Sequence, residues 1–220
     1  MKSRGRQPAR WPRSRPVRWL RRAIVGLIVV PVFRIGYRIE VTGRENVLAP
    51  GPPCLMVSNH NMGFDWGVLA VAYPAEVRQR LMVAAGSDEI FGNRLRGFSA
   101  RLMGNAFPFP KEGPRIRDGL ESAQAMLDEG WHVLILPEGE RKSNVPMRPF
   151  KPGIGWLVAR TGAEVLPIRI DVLKPGIFDG GGWRRPRGHV RVSFGKRLQP
   201  DITQKYDEIA TALQEAVRGA

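Results

Sequence analysis

From residue 39 onward, short apolar runs alternate with amphipathic segments, and glycine or proline stands at nearly every junction between them. This alternation predicts an α/β fold, and 220 residues fit one domain with one core. We expect residues 39–220 to form a single domain with a mixed sheet flanked by helices. The expected strands cover residues 54–58, 81–84, 105–109, 132–136, 164–170 and 189–194. The expected helices cover residues 87–104, 114–130 and 153–162, with a last one around Ile209, Leu213 and Val217.

The excess of basic residues is concentrated at the start of the chain. The 35 Lys and Arg residues against 20 Asp and Glu residues give a formal charge of +15. Eleven of these basic residues precede the first acidic one, Glu40. Such asymmetry indicates an anionic partner surface, which could consist of lipid headgroups or of nucleic acid.

This basic region has two parts. Residues 1–22 combine nine basic residues with three prolines, so we expect a disordered tail. Residues 23–38 begin with an apolar run that would reach ~16 Å as a helix, about half of a ~30 Å hydrocarbon core. We therefore expect residues 23–38 to be an interfacial helix that docks the protein on the cytoplasmic face of the cell membrane. Deletion of residues 1–38 should then release the protein from anionic vesicles, while activity on detergent-dispersed substrate survives at least partly.

Two other interpretations of the same segment stay open. It could be a buried helix that carries a solvated tail. It could also be a cleaved signal peptide, although Arg34 and Arg38 stand where a cleavage site would be expected. Cys54 is the only cysteine, which excludes an intrachain disulfide and is compatible with a reducing cytoplasm.

His60 and Asp65 directly follow the expected strand 54–58. A histidine can accept a proton near neutral pH, and a carboxylate can hold its ring in one tautomer. Five residues on a continuous helix would place the two side chains about 140° apart, so the pairing requires a turn, which Gly63 can supply. Taken alone, a histidine and an aspartate at this spacing more often have a structural role.

A second charged segment follows the expected strand 132–136. Residues 137–143 read Pro-Glu-Gly-Glu-Arg-Lys-Ser, and Lys151 stands just before the next expected helix. Open α/β sheets bind ligands at the carboxyl ends of their strands, where Arg141, Lys142 and Lys151 could meet a phosphate. A solvated charged loop is the alternative. No metal-ligand spacing, Walker motif or dinucleotide motif is present, so we expect no metal and no cofactor.

Four segments in order resemble the motifs of the glycerolipid acyltransferase family, which includes lysophosphatidic acid and glycerol-3-phosphate acyltransferases. The resemblance covers roughly residues 41–170. Its segments are Asn59-His60 with Asp65, residues 105–111 ending in Lys111, residues 136–141 (Leu-Pro-Glu-Gly-Glu-Arg), and residues 165–168 (Val-Leu-Pro-Ile).

The resemblance implies an enzyme that moves a fatty acyl group from acyl-CoA or acyl carrier protein to a lysophospholipid, with 1-acylglycerol-3-phosphate as the favoured acceptor and phosphatidic acid as the product. It implies that His60 is the general base and that Asp65 orients it. It assigns substrate binding to Lys111, Glu138, Gly139 and Arg141.

Two departures from the family pattern keep another acceptor, such as a glycolipid, open. Lys111 stands where an arginine is usual, so a compact ammonium replaces a planar guanidinium that could form two parallel hydrogen bonds. Glu140 stands where a threonine is usual, which adds a negative charge beside the expected phosphate site.

Two further classes of protein compete with the enzyme. The arginine-rich tail with Trp11 and Trp19 could bind nucleic acid, and the chain could also bind lipid without catalysis. Outside the segment around Trp183, the rest of the chain shows no concentrated basic surface and no helix-turn-helix or zinc module. We therefore expect no nucleic acid partner. The segment around Trp183 is either a solvated loop or a second contact with headgroups.

Overall fold

The computed structural model describes residues 8–139, 147–178 and 187–220. Within these residues, seven strands form one sheet. The strands are Tyr37–Thr42 (β1), Leu55–Ser58 (β2), Leu81–Gly86 (β3), Ala106–Phe109 (β4), His132–Ile135 (β5), Val165–Lys174 (β6) and Gly188–Phe194 (β7). The α-helices are Arg15–Ile24 (α1), Val30–Gly36 (α2), Arg44–Leu48 (α3), Asp65–Ala72 (α4), Ala75–Gln79 (α5), Arg94–Gly104 (α6), Ile116–Asp128 (α7), Gly153–Thr161 (α8) and Tyr206–Arg218 (α9).

The strands are ordered β1-β7-β6-β2-β5-β3-β4 across the sheet. Neighbouring strands are parallel except for β6 and β7, which are antiparallel, so the expected mixed sheet is confirmed. The strands β2 to β6 all run in one direction. Their carboxyl ends therefore lie along one edge of the sheet, where the loops that follow β2, β3, β4 and β5 come together.

Hydrophobic layers cover both faces of the sheet. Along β2, Met56 belongs to one layer and Leu55 and Val57 to the other, as the alternation of side chains in a strand requires. The first layer is closed by α2 and α4, and the second by α7, α8 and α9. Each fully buried large aliphatic side chain stabilises the fold by roughly 1.5–3 kcal/mol. The core thus fixes the strands whose ends carry the charged loops.

The elements expected within residues 39–220 are present, and two of their boundaries differ by more than two residues, since β6 continues to Lys174 and α6 starts late. Helix α6 begins at Arg94 instead of following Ser87, because the side chain of Asn93 accepts hydrogen bonds from the N–H groups of Leu95 and Arg96, both at 3.0 Å. This is the capping geometry that starts a helix. The elements β1, α3, α4 and α5 were not expected from the sequence.

The N-terminal segment is helical earlier than the sequence suggested. Helix α1 begins at Arg15, and a π-helical turn over Val25–Val29 joins it to α2, which ends at Gly36. We call residues 15–36 the N-terminal helix. The expected disordered tail therefore gives way to helix well before residue 22, and the expected helix 23–38 ends before Tyr37, where β1 begins. No helix in the described residues is long and apolar enough to cross a membrane.

Arg21 explains why the basic part of this helix is held against the domain. It is only 3% exposed, and its guanidinium donates hydrogen bonds to the carbonyl oxygens of Leu102 and Pro12, both at 2.7 Å. Burial lowers the pKa of Arg21 to about 10. A buried charge is retained when it is hydrogen-bonded in this way, so Arg21 anchors α1 to the end of α6.

Candidate active site

His60 and Asp65 meet at the carboxyl end of β2. Asp65 is the first residue of α4 and is buried, and its Oδ2 atom is hydrogen-bonded to Nδ1 of His60. Its Oδ1 atom accepts the backbone N–H of Met62 at 2.9 Å. The turn between β2 and α4 folds the chain back, so the expected pairing is present. The imidazole is 26% exposed, which leaves its other face open to a substrate.

Burial governs the electrostatics of Asp65. Desolvation raises the pKa of this carboxyl group, while the hydrogen bonds from His60 and from the Met62 N–H act in the opposite direction. A carboxylate in this setting holds Nδ1 as the protonated nitrogen, so Nε2 is the nitrogen that can accept a proton. The pair therefore has the arrangement of a base and its orienting group.

The loop that carries His60 is fixed to strand β6. The Asn59 side chain is 3% exposed, and it accepts the N–H of Ile170 at 2.8 Å and donates to the Ile170 carbonyl at 2.9 Å. The Asn61 side chain donates to the same carbonyl at 2.6 Å. Both asparagines thus set the course of the loop, and their partner on β6 was not visible in the sequence.

Glu138 and Gly139 follow β5 and reach the same place. The Oε1 atom of Glu138 accepts the backbone N–H of His60 at 2.8 Å, and Oε2 accepts the backbone N–H of Arg148 at 2.9 Å. Gly139 has a φ of +75°, and a Cβ atom there would lie 2.7 Å from Cε of Lys151. Only glycine allows this backbone conformation and this contact together.

Two lysines lie at this edge of the sheet. The Lys111 ammonium is 2.6 Å from the Glu89 carboxylate, and the Lys151 ammonium donates to the Lys111 carbonyl at 3.1 Å. Both side chains line the same cavity as His60. The Glu89 side chain is 68% exposed, so the ion pair is worth only about 1 kcal/mol and leaves Lys111 available to another anion. Glu89 was not anticipated from the sequence.

Several sequence candidates lie outside the described residues. Arg141, Glu140 and Lys142 fall in residues 140–146, and Trp183 falls in residues 179–186. The roles expected for them remain predictions.

An apolar cavity of about 690 Å³ adjoins His60 and Asp65. Its volume lies within the ~300–1,000 Å³ of small-molecule sites, and its apolar walls suit a hydrocarbon chain. On one side, the cavity is lined by Ile28, Val29, Val32 and Phe33 of the N-terminal helix; on the other, by Ile116, Leu120 and Ile154 of α7 and α8. The N-terminal helix thus forms part of the candidate site, which the sequence did not indicate.

The other histidines and the cysteine lie elsewhere. The backbone N–H of Cys54 donates to Nδ1 of His132 at 3.1 Å. Burial raises the pKa of the Cys54 thiol to about 11 and lowers the pKa of His132 to about 4. His189 is hydrogen-bonded to Glu40 on β1 at 2.8 Å. None of these three residues lines the cavity that adjoins His60.

Comparison with known proteins adds independent findings. The family model for acyltransferases matches residues 38–171. The chain is 29% identical over 184 residues to a 1-acyl-sn-glycerol-3-phosphate acyltransferase of Chlamydomonas reinhardtii, which covers 82% of this chain and 52% of the relative. It is 31% identical over 140 residues to 1-acyl-sn-glycerol-3-phosphate acyltransferase alpha of Homo sapiens, which covers 62% of this chain and 46% of the relative. The chain spans about half the length of the curated relatives it matches.

The fold also has a counterpart among solved structures. The crystal structure of the 1-acyl-sn-glycerophosphate acyltransferase PlsC from Thermotoga maritima superposes with a TM-score of 0.69 at 20% identity. The superposition covers 92% of this chain and 79% of that structure. At this identity the likeness establishes a shared fold.

Proposed function

This chain belongs to the acyltransferase family, and we propose that it transfers a fatty acyl group from an acyl thioester to the hydroxyl of a lysophospholipid. The acceptor we propose is 1-acylglycerol-3-phosphate, and the product is phosphatidic acid. The observation that carries the proposal is the His60–Asp65 pair beside an apolar cavity that two lysines also line. His60 supplies the base, the cavity suits the fatty chain, and the two lysines suit an anionic acceptor.

The reaction follows from the orientation of the imidazole. Because Asp65 holds Nδ1–H, Nε2 of His60 takes the proton of the acceptor hydroxyl as that oxygen attacks the thioester carbonyl carbon. The C–S bond then breaks, the ester remains on the acceptor, and the thiolate takes the proton back from His60. No acyl-enzyme intermediate forms. The donor is acyl-CoA or acyl carrier protein.

The acceptor is the finer part of the proposal. Lys111 and Lys151 favour an acceptor that carries a phosphate, because two ammonium groups line the cavity near the base. The Glu89 carboxylate beside Lys111 favours a neutral acceptor, such as a glycolipid, as the second candidate. Purified protein supplied with labelled acyl donor and a panel of lysolipids and glycolipids tests both. Consumption of donor in step with acceptor also separates catalysis from lipid binding alone.

Arg141→Ala is expected to raise the KM for the phosphate-bearing acceptor by about 10- to 150-fold, as the loss of a charge-assisted contact worth ~1.5–3 kcal/mol requires. The expectation rests on its position two residues after Gly139, which adjoins Lys151 at the cavity. Steady-state kinetics with varied acceptor measures it, with Arg160→Ala on the exposed end of α8 as the matched control. An unchanged KM would remove Arg141 from phosphate binding.

We further propose that the outer face of the N-terminal helix docks the enzyme on the cytoplasmic face of the cell membrane. This face presents a stripe of exposed apolar side chains, while Val25 and Phe33 on the opposite face are buried. The stripe consists of Leu20, Leu27 and Ile35, which are between 52% and 78% exposed, with Ile28 and Val32 at the edge where the helix also lines the cavity. Arg22 and Arg34 are exposed on the same helix and would meet anionic headgroups, each contributing about 1 kcal/mol.

The double variant Leu27→Ser/Ile35→Ser is expected to weaken partition onto anionic vesicles by at least about 150-fold, because each of the two lost apolar contacts is worth ~1.5–3 kcal/mol. Both side chains are more than 70% exposed, so the fold should not change. Vesicle flotation at high salt measures the effect, since salt screens the basic residues but not the apolar contact. Leu48→Ser/Ile202→Ser, exposed on other parts of the surface, is the control. Equal flotation of both variants would place docking elsewhere.

A further inference from the structure

The Glu138 carboxylate is fully engaged with the protein backbone. It is 6% exposed, and each of its oxygens accepts one main-chain N–H, from His60 at 2.8 Å and from Arg148 at 2.9 Å. These two donors belong to different loops, one after β2 and one well after β5. Glu138 therefore joins the loop that carries the base to the segment that leads into α8.

This geometry does not suit the substrate-binding role that the family resemblance implies for Glu138. A carboxylate repels a phosphate, and Glu138 does not line the cavity that adjoins His60, although its neighbours Pro137 and Gly139 do. Removing the carboxylate would also leave both N–H groups without their acceptor. The position of the Glu138 carboxylate is better explained by its two contacts with backbone N–H groups than by substrate binding.

We propose that Glu138 is a positioning residue for the general base: it holds the main chain of His60 so that the imidazole meets both Asp65 and the acceptor hydroxyl. Asp65 fixes the ring through Nδ1, and Glu138 fixes the backbone from which that ring projects. The two carboxylates thus control different degrees of freedom of one side chain. The inference rests on the proposed function, because it takes His60 as the base.

Kinetics of Glu138→Gln tests the assignment. The amide keeps one acceptor oxygen but turns an NH2 group toward a backbone N–H, so one of the two contacts is lost and the His60 loop shifts. A displacement of about 1 Å at a reacting group lowers turnover by about 100-fold. We expect kcat to fall by about that factor while the acceptor KM stays within about threefold of the wild type. Lys111→Met should instead raise the acceptor KM, and Glu45→Gln, exposed on α3, is the matched control. A raised KM with unchanged kcat in Glu138→Gln would make Glu138 a substrate ligand and overturn the proposal.

Amide hydrogen exchange tests the same contact without any activity. The chain has three histidines, so labelling histidine with ¹⁵N gives three backbone amide signals. In Glu138→Ala, which removes both acceptor oxygens, the His60 amide should exchange at least tenfold faster. The His132 amide, which donates to the Arg80 carbonyl at 2.9 Å, should not change. Glu138→Asp, which is one methylene shorter, should give the same loss of protection if the Ala variant does not fold. Unchanged exchange of His60 in the folded variant overturns the proposal. If the wild type transfers no acyl group, the proposed function fails, while the exchange result still decides whether Glu138 holds His60.

Discussion

His60→Ala is expected to lower kcat by about two to four orders of magnitude and to leave the fold intact. In the proposed reaction, the substitution removes the group that takes the proton from the acceptor hydroxyl, so the hydroxyl must attack the thioester without a base. The variant should still fold because the imidazole is partly exposed, although Asp65 loses one hydrogen-bond partner. Thioester release with lysophospholipid present measures the rate, and circular dichroism checks the fold.

Asp65→Asn is the matched comparison for the base. It preserves the size of the side chain but removes the charge that holds Nδ1–H on the imidazole, so the wrong tautomer can form. We expect a loss of rate in this variant as well, and the double variant should lose little more than His60→Ala alone, because the two residues act as one unit. Activity of His60→Ala within about threefold of the wild type would remove His60 from the mechanism.

Phe33→Ala is expected to destabilise the protein by about 3–5 kcal/mol. Its ring lies so close to α4 that a Cβ atom on Gly67 would come within 2.0 Å of it. It also contacts Phe178 with ring centroids 4.9 Å apart and Tyr37 at 6.2 Å. The substitution opens a cavity in this layer and removes part of the wall of the candidate site. Urea unfolding followed by circular dichroism measures the loss of stability.

Ile35→Ala is the control on the same helix. Ile35 is 72% exposed, so its truncation should change the free energy of unfolding by no more than about 0.5 kcal/mol. Equal stability of Phe33→Ala and the wild type would show that the N-terminal helix is not part of the core.

The buried position of Phe33 also changes the result that we expect for the deletion of residues 1–38. That deletion removes Phe33 and the fully buried Tyr37 at the start of β1, so activity in detergent is not expected to survive it.

The amphipathic helix α7 could be predicted from the sequence, and the almost fully buried helix α4 could not. Helix α7 has the apolar spacing of its buried residues and was anticipated. Helix α4 was not, because residues 68–72 are all buried and show no polar face from which a helical period could be recognised. Strand β1 did carry a signal, since Tyr37, Ile39 and Val41 alternate with polar residues. The docking helix expected over residues 23–38 overlaps the start of this strand, so the strand was not predicted.

The candidate site could be predicted where the chain folds back locally. The contact between His60 and Asp65 needs only a turn, and the motif order placed Lys111 and Glu138 near it. The partners of these residues could not be predicted, because Glu89 and the Arg148 N–H reach them from other loops at the sheet edge. The direction of a side chain such as Glu138, toward the backbone instead of the substrate, depends on tertiary packing that no motif encodes.

The hydrogen bonds between Asn59 and Ile170 also constrain when the site can form during protein synthesis. The two residues are 111 positions apart. At roughly 5–20 residues per second, the ribosome adds Ile170 about 5–20 s after Asn59. During that interval the His60 loop has no anchor on β6, while the N-terminal helix has already been made with apolar side chains on both of its faces. The nascent chain therefore presents a lipid-compatible or chaperone-compatible surface before it has a catalytic centre, and the His60 loop can be anchored only after Ile170 has been made.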